Sequence, residues 1–182
     1  TAVDIAYSPN DLYRLKREGK KAIMLGIENG YAIGKDLSRV AHFRKRGVVY
    51  MTLCHNGNND ICGSARYNEE NLGVTPFGEQ VIQEMNRLGM MVDLSHSGER
   101  TFYETLDISS QPVVCSHSSS RALCDHPRNL TDEQLRAIAR KGGVVQVCLY
   151  SGFLRKKRPA HILDAIEHLN HMVNVMGIEH VG

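Results

Sequence analysis

The sequence predicts an α/β protein of the TIM-type (β/α)8 barrel class, of which this chain supplies about five to six βα units. Three observations predict it. Short apolar runs alternate with helix-length amphipathic segments along the whole chain. Four successive runs end in a side chain that binds metals or handles protons: AIMLGI before Glu28, VVYMTLC before His55, MMVDLS before His96 and PVVCS before His117. Parallel strands point their carboxyl ends at one face of a barrel, so these side chains are expected to share one space. Finally, the 182 residues fall short of the roughly 250 typical of a closed barrel. Residues 1–182 are therefore expected to be a single, incomplete barrel domain, a portion of a larger one.

Asp11 to Lys21 reads as an amphipathic helix with Leu12 and Leu15 on one side and Asn10 as N-cap. Ala22 to Ile27 is the first clear strand, and Glu28-Asn29-Gly30 turns away from it. Asp36 to Arg46 is the next helix, stopped by Gly47, and Val48 to Leu53 is a β-branched and aromatic strand. The Asn- and Gly-rich segment 54–73 is too long for a plain connector and reads as an active-site loop. Thr75 caps a helix that has Pro76 at its first position, and Phe77, Val81, Ile82, Met85 and Leu88 recur at helical spacing up to Gly89. Met90 to Leu94 is a strand, Glu99 to Leu106 a helix and Pro112 to Cys115 a strand. Thr131 and Gln134 form a capping-box pattern for a helix through Lys141, ended by Gly142. Val144 to Leu149 is a strand, Pro159 to Met176 a long helix capped by Gly177, and Ile178 to Gly182 the start of a sixth strand.

Composition narrows the function classes. At 42% hydrophobic and 23% charged residues the chain reads as an ordinary globular domain able to bury a core. No apolar run approaches the roughly 20 residues of a membrane span, and TAVDIAYSPNDLYRL has no signal-peptide pattern. A net charge of +2 gives no footprint for nucleic acid, and the basic cluster Arg155 to Arg158 reads as a solvated loop. The cysteines, Cys54, Cys62, Cys115, Cys124 and Cys148, form no C-x-x-C pair. Cys54, Cys115 and Cys148 lie in apolar runs and read as buried thiols. A bridge from Cys54 to Cys62, or from Cys124 to another chain, is left to geometry.

His96 and His117, each in a Ser-His context, together with Glu28 offer nitrogen and oxygen donors without thiolate, which suits zinc or a similar divalent ion. Such an ion polarises a carbonyl and makes water nucleophilic near neutral pH, so hydrolysis of an amide or ester is the natural reaction. His55 is expected to steady an oxyanion or to pack in its loop. Arg128, in CDHPRN, is expected to form either a salt bridge or a fork for a substrate carboxylate. His161, His168 and His171, on the long last helix, are expected at the surface or partly packed, and neither they nor His42 and His126 are given a role.

These segments resemble the renal, or membrane, dipeptidases, the M19 metallopeptidases. The resemblance rests on GIENG around Glu28, YMTLCHNGNND around His55, TPFGEQVIQEMNRLGMMVDLSHSG around His96, PVVCSHSSSRALCDHPRN around His117, GGVVQV and GIEHVG. It implies a (β/α)8 barrel with a two-zinc site that cleaves dipeptides, often with a D-residue at the C-terminal position. It further implies Glu28 as the bridging carboxylate and His96 and His117 as ligands of one zinc. His55 would be a substrate and oxyanion contact, Arg128 the carboxylate anchor and Tyr150 a substrate contact. The family's H-x-D and D-F-D-G motifs do not occur in these residues, so this chain alone is expected to lack the second zinc site and the proton donor. Another amidohydrolase or lactonase activity, or a non-catalytic barrel fragment, stays open beside the dipeptidase. The resemblance also leaves open a homodimer and a membrane or lipid anchor outside this stretch, and it favours the cell envelope or secretion over the cytoplasm.

Overall fold

Among the described residues every paired strand runs parallel to its neighbour, in the order of the sequence. The computed structural model describes residues 2–157 and 159–182, so Arg158 at the end of the basic cluster lies outside the described residues. Strands β1 (Val3–Ile5) and β2 (Lys21–Ile23) pair with each other. A second sheet follows in the order β3 (Leu25–Ile27), β4 (Val48–Thr52), β5 (Met91–Asp93), β6 (Val114–Cys115) and β7 (Val144–Val145). Consecutive parallel strands with helices between them are the build of a barrel wall.

The helices form where their ends are satisfied. In α1 (Pro9–Arg17) the Ser8 hydroxyl accepts from the Asp11 N–H at 3.3 Å, with Pro9 at the first position. Next come α2 (Ser38–Lys45) and α3 (Pro76–Arg87), whose Thr75 hydroxyl accepts from Gly78 N–H at 2.9 Å. After α4 (Glu99–Ile108), α5 (Asp132–Arg140) carries the full capping box between Thr131 and Gln134. The one-turn α6 (Ser151–Leu154) precedes α7 (Ile162–Met176), which Gly177 ends at φ 90°.

Strand period then divides the side chains between two layers. Met51, Val92, Cys115 and Val145 face the helices and are buried against Val81, Met85, Ile138 and Met172. Tyr50, Met91, Val114 and Val144 line the opposite, concave side, where a cavity of about 720 Å³ reaches Tyr7 and Leu12. Above that layer, toward the carboxyl ends, come Thr52, Asp93 and Ser116. This upper layer underlies the site.

Several expectations change. The helix N-cap is Ser8 rather than Asn10, because Pro9 begins the helix. The strand read from Ala22 to Ile27 is broken at Met24, its first half pairing with β1 and its second with β4. Val144 to Leu149 keeps ladder pairing only at Val144 and Val145, and Ser151–Leu154 becomes a helical turn. Ile178 to His180 forms a 3-10 turn, leaving Val181 to bridge in parallel to Val145. All five cysteines are free and buried, so the suggested Cys54–Cys62 bridge is not formed. His168 is buried rather than partly packed, its Nδ1 accepting from Ser120 N–H at 3.0 Å and its Nε2 donating to Leu154 O at 3.0 Å.

Candidate metal centre

Glu28, His55, His96 and His117 meet at the carboxyl ends of β3 to β6. Glu28 Oε1 lies 3.3 Å from His96 Nε2, 3.4 Å from His117 Nε2 and 3.7 Å from His55 Nε2. The ligand atoms of Glu28, His55 and His96 all fall within 4.8 Å of one another. His117 joins the group from the other side, with its Nε2 2.9 Å from that of His96. Two triangles therefore share the Glu28–His96 edge. The set expected from sequence, Glu28, His96 and His117, is one of them, and His55 completes the other.

The backbone is bent to make this convergence. His96 has φ 73° and Asn29, directly after Glu28, has φ 82°, a left-handed conformation that few residues other than glycine adopt. The His96 carbonyl is held there by Ala65 N–H at 2.7 Å. Asn59 holds the other turn: its side chain donates to Asn29 Oδ1 at 3.1 Å and Leu53 O at 2.9 Å, and it accepts from Ile61 and Cys62 N–H. The Asn-rich loop is thus a strap across the strand ends, which explains its length.

Electrostatics favour neutral rings at His96 and His117. Burial, and then the nearby Arg128, His55 and His117, push the His96 pKa down to about 2. Burial and Arg128 also lower that of His117. The partners of the two Nδ1 atoms favour a proton on each: His96 Nδ1 faces the Asn56 Oδ1 acceptor at 3.2 Å, and His117 Nδ1 faces Ser116 Oγ at 2.7 Å, whose own hydroxyl donates to Asp93. Each Nε2 then presents a lone pair, and two lone pairs and a carboxylate oxygen face one another. A donor set of this kind fits a divalent cation, whose charge would offset the repulsion between the converging lone pairs and the carboxylate.

Arg128 sits beside the cluster, buried, with Nη2 donating to the His117 carbonyl at 3.3 Å and its guanidinium 5.4 Å from the Phe153 ring centre. Its buried Nε has no partner among the described residues. Burial lowers its pKa. Tyr150 is 52% exposed and reaches the group through Phe153, at 4.9 Å between ring centres. Sequence reasoning missed Phe153, which joins Arg128 to Tyr150, and it missed Asn56, Asp93 and Ser116. It also missed Tyr50, whose ring covers Gly26, where any side chain would run into it. Tyr50, Glu28, Thr52, Ser116 and His117 line an open pocket of about 300 Å³.

A parallel β/α array with a carboxylate and three imidazoles converging at its strand ends is the architecture of a metal-dependent α/β hydrolase. The family model for membrane dipeptidases, peptidase family M19, matches residues 1–182. The chain belongs to that family. It is 42% identical over 172 residues to an uncharacterized dipeptidase of Schizosaccharomyces pombe, covering 92% of this chain and 41% of that protein. It is 35% identical to dipeptidase 3 of Mus musculus, covering 92% of this chain and 35% of that one. Among solved structures, an amidohydrolase from Pseudomonas aeruginosa superposes with a TM-score of 0.91 at 34% identity, over 99% of this chain and 55% of its own. A metallo peptidase from Rhodobacter sphaeroides, liganded with a phosphinate mimic of the dipeptide L-Ala-D-Ala, gives a TM-score of 0.91 at 25% identity, over 100% of this chain and 54% of its own. The chain thus spans about half or less of the length of these relatives.

Proposed function

We propose that the protein carrying this chain is a zinc-dependent dipeptidase, holding two ions when complete and accepting dipeptides that end in a D-residue. The observation that carries this reading is the position of Glu28 Oε1 within 3.3–3.7 Å of three imidazole nitrogens. Glu28, His96 and His117 would hold one ion, with Glu28 able to reach a second. A bound divalent ion supplies Lewis-acid polarisation of the scissile carbonyl and makes water nucleophilic near neutral pH. The chain's own residues do the rest. His55 stands on the open side of the cluster, where it can donate to the developing oxyanion. Arg128 offers its unpaired Nε–H to the substrate's terminal carboxylate, a contact strengthened by burial. Tyr150 and Phe153 flank that carboxylate subsite. The ligand of the Rhodobacter sphaeroides metallo peptidase supports the C-terminal D-residue.

The second reading, a metal-dependent amidohydrolase acting on a non-peptide amide, is favoured by the neighbour of that name. Zinc content and turnover of L-Ala-D-Ala, L-Ala-L-Ala, an N-acyl amino acid and a lactone by the complete protein separate the two. Two zinc ions per chain with turnover of the dipeptides alone are expected. Turnover confined to the N-acyl substrate or the lactone would sink the dipeptidase reading, and a complete protein that binds no zinc would sink both.

A further inference from the structure

Asp93 is a charged side chain inside the apolar run MMVDLS, fully buried at the end of β5, and it has no ion-pair partner among the described residues. Such a group is expensive to bury unless hydrogen bonds replace its water. Four do. Its Oδ1 accepts from the backbone N–H of Ser95 at 3.0 Å and of Ser116 at 2.9 Å. Its Oδ2 accepts from the Thr52 hydroxyl at 2.6 Å and from the Ser116 hydroxyl at 2.6 Å. These donors belong to the ends of three adjacent strands, each leading into one of the site histidines. The Ser95 hydroxyl in turn accepts from His117 N–H at 3.0 Å.

The proton directions follow. With both Asp93 oxygens accepting, the Ser116 hydroxyl points its hydrogen at Asp93, and its oxygen is left to accept from His117 Nδ1–H at 2.7 Å. We propose that Asp93, acting through Ser116, is the positioning residue that fixes the His117 tautomer and aims its Nε2 lone pair toward Glu28, where these two residues would hold a metal. His96 has a weaker counterpart, the neutral Asn56 amide at 3.2 Å. The two histidines are therefore supported unequally, His117 by a carboxylate relay and His96 by an uncharged acceptor. This inference deepens the metal reading above and rests on it.

The decisive variant is Asp93→Asn. The Oδ1 position must stay an oxygen, because two backbone N–H groups point at it, so the amide nitrogen takes the place of Oδ2. It then donates to Ser116 Oγ, whose hydrogen turns to His117 Nδ1 and forces the proton onto Nε2. In the metal-free complete protein, 15N imidazole spectra of D93N should show His117 converted from the Nδ1–H to the Nε2–H tautomer, with zinc affinity down about 10–100-fold. Ser116→Ala should lose affinity over the same range, and Ser116→Thr, which keeps the hydroxyl, should restore it. Thr52→Val removes the other hydroxyl donor to the same Asp93 oxygen but keeps the Ser116–His117 contact, and it should lower thermal stability with a clearly smaller loss of zinc affinity than S116A. If D93N fails to fold, the Ser116 pair and T52V carry the test. An unchanged tautomer, S116A affinity within twofold of the parent, or equal affinity losses in S116A and T52V would overturn the relay. Zinc binding that responds to these variants without dipeptide turnover would uphold it and defeat the dipeptidase reading alone.

Discussion

His96 and His168 are both buried histidines whose pKa is depressed chiefly by desolvation, yet their ring nitrogens meet different partners. His168, on α7, has both ring nitrogens filled by backbone, Ser120 N–H on one side and Leu154 O on the other. It ties the segment after His117 to α6 and α7. His96 has Nδ1 on Asn56, and its Nε2 lies 2.9 Å from the His117 Nε2 and 3.3 Å from a Glu28 carboxylate oxygen, with no backbone group filling it. Burial alone therefore does not make a ligand. What distinguishes the proposed ligand is a ring nitrogen that faces other donor atoms of the cluster instead of a backbone group.

The largest test of this contrast is removal of each ring in the complete protein. His96→Ala should lower hydrolysis on the order of 10³-fold through lost metal stabilisation, with much smaller change in unfolding free energy once metal is withheld. His168→Leu should do the reverse. It strands a buried N–H and a buried carbonyl and should destabilise by about 2–4 kcal/mol in denaturant unfolding, with zinc affinity nearly unchanged. Equal losses of zinc affinity in the two variants would erase the distinction.

Acid sharpens it further. The His96 pKa lies at about 2 in the folded protein against an ordinary 6.5, and that of His168 is also lowered. Below pH 6.5 the unfolded chain binds protons that the folded chain refuses. The stabilisation of the metal-free protein is thus full above that pH and is lost as pH falls toward the folded values, by up to ~1.4 kcal/mol per pH unit for each such histidine. Urea unfolding between pH 7 and pH 4 should show this fall, and His96→Gln and His168→Gln should each flatten it. Only His96→Gln should also alter the pH dependence of zinc binding. The smallest effect belongs to neither ring: Thr131→Ala opens the capping box of α5, the helix packed on α7, and should cost about 1 kcal/mol with no change in zinc affinity.

Legibility in the sequence followed the same division. Glu28, His55, His96 and His117 could be found because each directly follows an apolar run, and parallel strands bring their ends to one rim. The Thr75 and Thr131 caps were legible because capping is a contact between near neighbours in sequence. Asp93 left a signal that could have been read, since a carboxylate within MMVDLS must find partners if the run is buried. The partners themselves could not be read: Thr52 is 41 positions away and Ser116 is 23. His168 left no such trace, because on a helix half a turn of rotation separates a solvated ring from a buried one, and α6, which accepts its bond, was not foreseen.

By itself, then, the sequence determined the alternation of strands and helices, the side on which the ligand-type residues emerge and the residue types offered to a metal. These depend on periodicities of 2 and 3.6 residues and on contacts within one turn, which neighbouring residues encode. The tertiary structure decided the break at Met24, the left-handed bend at His96, the proton directions set by Asp93 and Ser116, and the difference between His96 and His168. Those depend on which atoms from distant segments become neighbours in a space without water, where one hydrogen bond made or withheld fixes the chemistry of a ring.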